Sequence, residues 1–149
     1  MRAYLVVMDD TREARAALRF AARRAARTGG TVELLALIPQ QEFVQWGGVQ
    51  AAMEEEARLR AEAMVVQASG AIVEEAGVKP SITVKQGDPV KAVTDLLEER
   101  EIGALVLGAA AEGGPGPLVS HFSAKANTLP CPLMIVPGHL SDEALDRLS

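Results

Sequence analysis

A chain of 149 residues, 48% hydrophobic but only 3% aromatic, is long enough for one domain whose core is built from Ala, Val, Leu and Ile. Its formal net charge of −5 argues against a nucleic-acid groove, because the eleven arginines are interleaved with acids or lie along one helix. The single cysteine, Cys131, excludes an internal disulfide, and no apolar run reaches membrane-spanning length, so the expected location is the cytoplasm.

Ala3 to Met8 is a continuous apolar run, the pattern of a strand buried on both faces. Asp10 and Glu13 have the spacing of a capping box for a helix over Thr11 to Arg27, which stops at Gly29-Gly30. Ala14, Leu18, Ala21, Ala22 and Ala25 form its inward stripe, and Arg12, Arg15, Arg19 and Arg23 mostly face out. Thr31 to Ile38 is the second strand, ended by Pro39. The loop from Gln40 to Gly48 carries Phe43 and Trp46, expected to plug one end of the core or to meet a partner.

A long helix follows, from Val49 to Ala76. Leu59, Ala63, Val66, Gly70 and Val73 recur at four-three-four-three spacing, read as the face laid on the sheet; Glu54, Glu55 and Glu56 read as solvated surface rather than a metal site. Ser81 to Lys85 alternates, which marks an edge strand with one wet face. Asp88-Pro89 starts a third helix, as N-cap and first helical residue, with Val90, Val93, Leu96 and Leu97 inward and an end near Glu101. Gly103 to Gly108 is the fourth strand. It empties into a loop containing Gly113, Gly114 and Gly116, then a helix beginning at Pro117 and a last strand over Cys131 to Val136. Ser141 to Leu148 reads as a short peripheral helix.

Strands and helices therefore alternate with short links, the pattern of a doubly wound parallel sheet with helices on both faces. Right-handed crossovers and an edge-like third strand favour the order 3-2-1-4-5 in an α/β fold. Winding reverses between strands one and four, and ligands in such sheets bind at the carboxyl ends of the strands at that reversal. Those ends carry Asp9-Asp10 and Gly108. Gly108, Gly113, Gly114 and Gly116 could let backbone approach a phosphate, with Ser120 adding a hydroxyl and the helix from Pro117 its dipole. Asp9 and Asp10 suit ribose, base or a magnesium ion better than bare phosphate. His121 and His139 lack partners at metal-ligand spacing, and no nucleophile–base–oxyanion set is evident, so neither a catalytic residue nor a resident metal is expected.

These features, in order, resemble the universal stress protein family: Leu5-Val-Val-Met-Asp9 before a helix, Gly87-Asp-Pro89, Ala104-Leu-Val-Leu-Gly108 and Cys131-Pro-Leu-Met-Ile-Val136. The likeness covers residues 1–137, one universal stress protein-like domain, and leaves 138–149 as a tail. It implies an adenine nucleotide alpha hydrolase-like fold, a homodimer through the last strand Pro132–Val136, and a non-catalytic role in stress response. That role is binding or sensing an adenine nucleotide, ATP or AMP, with magnesium as its companion ion. The residues it points to are Asp9 and Leu37 on the adenine side and Gly108, Gly114, Gly116, Val119, Ser120 and His121 on the phosphate side. The phosphate loop is degenerate: Ala111 and Val119 stand where the family's nucleotide binders have glycine, Asp10 replaces another glycine, and the loop is shorter. A Val119 side chain at the phosphate approach could obstruct it, and Gly114 and Gly116 could compensate by supplying N–H groups from a different loop path. Two other readings compete. One is a nucleotide-free dimeric scaffold. The other is a phospho-acceptor receiver, suggested by Asp9-Asp10 but lacking the third aspartate and the lysine it needs.

Overall fold

The computed structural model describes residues 2–38 and 48–149; Phe43 and Trp46 lie outside them. The elements are β1 (Ala3–Met8), α1 (Arg12–Thr28), β2 (Thr31–Ile38), α2 (Gly48–Ala76), β3 (Ser81–Gln86), α3 (Pro89–Glu99), β4 (Ala104–Ala109), α4 (Pro117–Ala124), β5 (Leu133–Pro137) and α5 (Asp142–Leu148). All five strands run parallel in the order β3-β2-β1-β4-β5, as the sequence pattern predicts. That order separates the fold from the receiver type, whose strands run 2-1-3-4-5. No described helix is long and apolar enough to cross a membrane.

Side-chain alternation divides the central strands between two cores. Tyr4, Val6 and Met8 of β1 join Val32, Leu34 and Ala36 of β2 under α1 and α2, while Leu5, Val7, Leu35, Leu105 and Leu107 point to α3 and α4. Both faces being covered explains the unbroken apolar runs. β3, at one edge, keeps only part of its surface buried, and its Ile82 is 44% exposed.

The alanine stripe of α1 is buried as expected, which brings this helix close to the sheet. Its cap is not Asp10. The Thr11 hydroxyl accepts from Ala14 N–H at 3.2 Å, while Asp10 lies out in solvent near Arg15. Two adjacent residues could cap, and the one whose chain turns back over the first turn does so. In α3 the expected cap holds: Asp88 accepts from Val90 N–H at 3.2 Å, with Ala92, Val93, Leu96 and Leu97 buried.

Two further expectations are corrected. On α2 the stripe Leu59, Ala63, Val66, Gly70 and Val73 faces away from the sheet, and the buried residues are Ala57, Ala61, Val65 and Ile72. The small alanines let the helix approach β2, and both faces are apolar enough that spacing alone could not choose between them. Nor is α5 peripheral. Leu145 is 1% exposed in the α1-side core, and Asp146 takes two hydrogen bonds from Arg19 at 2.9 and 3.0 Å and an ion pair from Arg23 at 3.0 Å. Arg19 and Arg23 are thus fasteners for α5 rather than outward-facing charges.

Candidate functional site

The site is built where β1 and β4 end. Alternation carries Asp9 to the same face as Val7, toward α4, and carries Gly108 to the same face as Val106, toward α1. Asp9 is half-buried, and its Oδ1 accepts from Thr11 N–H at 3.2 Å and from the Thr11 hydroxyl. This holds the carboxylate at the mouth of the crevice. Leu37 continues β2 one residue beyond the Met8–Ala36 pair, level with Asp9, and packs partly buried on the α3–α4 side.

Gly108 has a packing reason to be glycine. A Cβ there would sit 1.9 Å from the Glu13 carbonyl oxygen, so α1 lies directly on this backbone. After Ala109 the chain loops out, and the Ala110 N–H reaches the Pro115 carbonyl at 3.2 Å to close the loop. Gly113, Gly114 and Gly116 all have positive φ. Gly116 caps α4 at φ 102°, ψ 161°, a region essentially closed to side-chain-bearing residues. Pro117 follows as the first helical residue, and the first helical hydrogen bond runs from Ser120 N–H to the Gly116 carbonyl at 3.0 Å. The first-turn amides of Leu118 and Val119 have no intrahelical acceptor and, with the dipole, form the positive pole of the site.

Between these parts lies a crevice of about 90 Å³. Its walls include Val7, Asp9, Leu107, Gly108, Gly116 and Val119, with Thr11, Glu13 and Ala14 closing it from α1. Val119 lines this crevice while most of its side chain is turned inward. It is helical, 5% exposed, and packs its side chain into the α3–α4 core, so no positive φ is asked of a β-branched residue. Gly114, Ser120, His121 and Leu37 lie outside the crevice lining. Gly114 and Ser120 are exposed, and the His121 ring stacks edge-on to Phe122 with centroids 4.9 Å apart. Thr11 and Leu118, which the sequence pattern did not single out, complete the site; the one available signal was a threonine beside the expected cap.

Among the described residues no group of three or more His, Cys, Asp or Glu could hold a metal. Burial pushes the Cys131 thiol up, the Leu105 backbone hydrogen bond opposing it only in part, which keeps it from acting as a thiolate. A larger concavity of about 760 Å³ lies on the opposite face between α1, α2 and α5. Its central cation, Arg19, is already engaged by Glu75, Asp142 and Asp146, and Asp10, Glu75 and Asp142 balance Arg12, Arg15 and Arg19 along its lining. It therefore presents no net charge that selects a ligand.

Residues 1–137 match the model of the universal stress protein family. No match to a curated protein was found. Among solved structures the chain is similar to universal stress protein UspA from Lactobacillus plantarum, with a TM-score of 0.74 at 18% identity over 91% of this chain and 97% of that one. It is similar also to a universal stress family protein from Burkholderia pseudomallei, TM-score 0.71 at 18% identity over 91% and 95% of the two chains. The universal stress protein from Archaeoglobus fulgidus in complex with dAMP gives a TM-score of 0.61 at 16% identity over 91% and 97%. Other similar structures carry cAMP and, in a protein from Arabidopsis thaliana, AMP.

Proposed function

The chain belongs to the universal stress protein family, and from that premise we propose that it binds an adenine nucleotide at the crevice between β1, β4 and α4. The observation that carries this reading is the meeting of Asp9, Gly108 and the free first-turn amides of α4 at the point where the strand order reverses. Similar structures holding dAMP, cAMP and AMP support the same ligand class.

In this reading each end of the nucleotide meets matching chemistry. The Leu118 and Val119 amides and the dipole of α4 receive the phosphate, and Gly116 leaves room for it at the cap. Asp9, already oriented by Thr11, accepts from the ribose or base, and Leu37 offers an apolar surface on the adenine side. Gly114, Ser120 and His121 stand at the rim. The crevice of about 90 Å³ is well below the roughly 300–1,000 Å³ of ordinary ligand pockets. The crevice is open on one side, so it receives part of the nucleotide and leaves the rest along its rim. Magnesium would arrive on the phosphates of ATP rather than on a protein cluster.

The role is binding or sensing in the cytoplasm, not catalysis. Asp9 is turned to Thr11, and the one other carboxylate among the described lining residues, Glu13, belongs to the α1 wall rather than to a nucleophile–base pair. The protein pairs through β5, an edge strand whose Ile135 is 42% exposed. Equilibrium dialysis with labelled AMP and ATP tests the reading. Saturable retention is expected, and no retention of either at millimolar concentration overturns it.

A further inference from the structure

Four of the seven large apolar side chains exposed among the described residues belong to α2: Met53 (42%), Leu59 (55%), Val66 (69%) and Val73 (45%). Leu59, Val66 and Val73 are seven residues apart, and the exposed Ala63 and Gly70 fall between them at four-three spacing. An apolar stripe of period 3.5 along a helix is the seam of a helix pair, where a side chain of one helix enters a hole on the other. The helix already spends its opposite face on the sheet, through Ala57, Ala61, Val65 and Ile72. Among the described residues the outer stripe belongs to none of the buried clusters.

We propose that this stripe is a second self-association surface, on which α2 packs antiparallel against α2 of another copy of this chain. The sizes of its residues specify that mate. A two-fold axis passing between residues 64 and 65 sets Val66 opposite Ala63 of the second copy and Leu59 opposite its Gly70. Every central layer then has one large and one small residue. Parallel pairing instead sets Gly70 on Gly70 and leaves a void. The charges flanking the seam agree with the antiparallel choice: Arg60, which lies 3.9 Å from Glu56 of its own helix, comes beside Glu74 of the second copy, twice by symmetry, on one flank of the seam. One like-charge approach opposes it, Glu62 with Glu62 of the second copy on the other flank, so the contact is reversible rather than permanent. α2 lies over β2 and β3, far across the sheet from β5, so this pairing and that of β5 do not compete.

Sedimentation velocity over a range of concentrations tests the proposal in the full chain, both wild type and an Ile135→Asp background that removes pairing through β5. In that background a concentration-dependent dimer is expected. Val66→Glu should weaken it at least tenfold with the circular dichroism spectrum unchanged, and Glu62→Gln should strengthen it. A Cys131→Ser chain carrying Ala63→Cys and Val66→Cys should form a covalent dimer on mild oxidation, which reports the register without depending on how Val66→Glu folds. A strictly monomeric Ile135→Asp protein at the highest concentrations overturns the proposal. So does self-association indifferent to Val66→Glu, or failure of the paired cysteines to cross-link.

Discussion

Replacing Gly108 with alanine separates two reasons for a glycine at the end of β4. The added Cβ would lie 1.9 Å from the Glu13 carbonyl oxygen, 2.4 Å from its carbonyl carbon and 3.0 Å from its Cβ. Relieving that overlap takes a displacement of roughly 1.5 Å to reach ordinary contact, and the obstacle is helix backbone rather than a side chain that can rotate away. α1 cannot yield cheaply, because Ala14, Ala17, Leu18 and Ala21 beyond Glu13 are all buried. Overpacking of this kind costs about 1–3 kcal/mol, and the upper end is expected here. Urea denaturation gives the answer: Gly108→Ala should lower the midpoint with the slope unchanged. Stability within about 0.5 kcal/mol of wild type, which is typical of a surface change, would refute the packing argument. Unaltered stability together with lost nucleotide binding would show that Gly108 serves phosphate approach alone.

Other perturbations test separate links. Gly116→Ala forces an alanine into a backbone region nearly reserved for glycine, so it should cost about 1–3 kcal/mol in urea denaturation and weaken AMP binding in dialysis. Asp146→Asn should lower the urea midpoint at neutral pH by loosening α5. The Arg19 hydrogen bond holds the Asp146 carboxyl below the usual carboxylate range. Its stabilisation is therefore fully present above the unfolded value of about 3.9 and lost as pH falls through the depressed folded value. Wild type and Asp146→Asn should thus converge in stability in acid; a gap that persists undiminished at low pH would contradict this. Ile135→Asp should abolish pairing through β5 without unfolding the chain, as judged by light scattering and circular dichroism. Met134, by contrast, packs partly buried against the core, so a charge there would confound folding with assembly.

Strand order was legible because two-sided burial leaves unbroken apolar runs and the edge strand β3 leaves an alternating one. The start of α3 was legible because Asp88-Pro89 is a local signal. The misread features depend on contacts that sequence spacing does not encode. The two faces of α2 are both apolar, and only the approach of Ala57 and Ala61 to the sheet decides which is inside. Arg19 and Asp146 are 127 residues apart, so nothing in the seven-residue helix α5 announces that it is pinned to the first helix. At the site, Asp9, Gly108 and the start of α4 were readable from topology together with local glycine and proline chemistry. The reason for Gly108 was not, since it lies in the distance to Glu13. The inward turn of the Val119 side chain was not legible either, since it depends on how the helix starting at Pro117 rolls onto the α3–α4 core.

The central claim is that an adenine nucleotide sits with its phosphate on the first turn of α4. Amide-resolved NMR during titration with AMP tests it most directly, because every backbone N–H reports its own surroundings. The account predicts saturable shifts concentrated at Gly116, Leu118, Val119 and the Asp9–Thr11 turn. Shifts centred instead on Met64, Ile72 and Leu145 in the larger groove, or none at millimolar AMP, would contradict it.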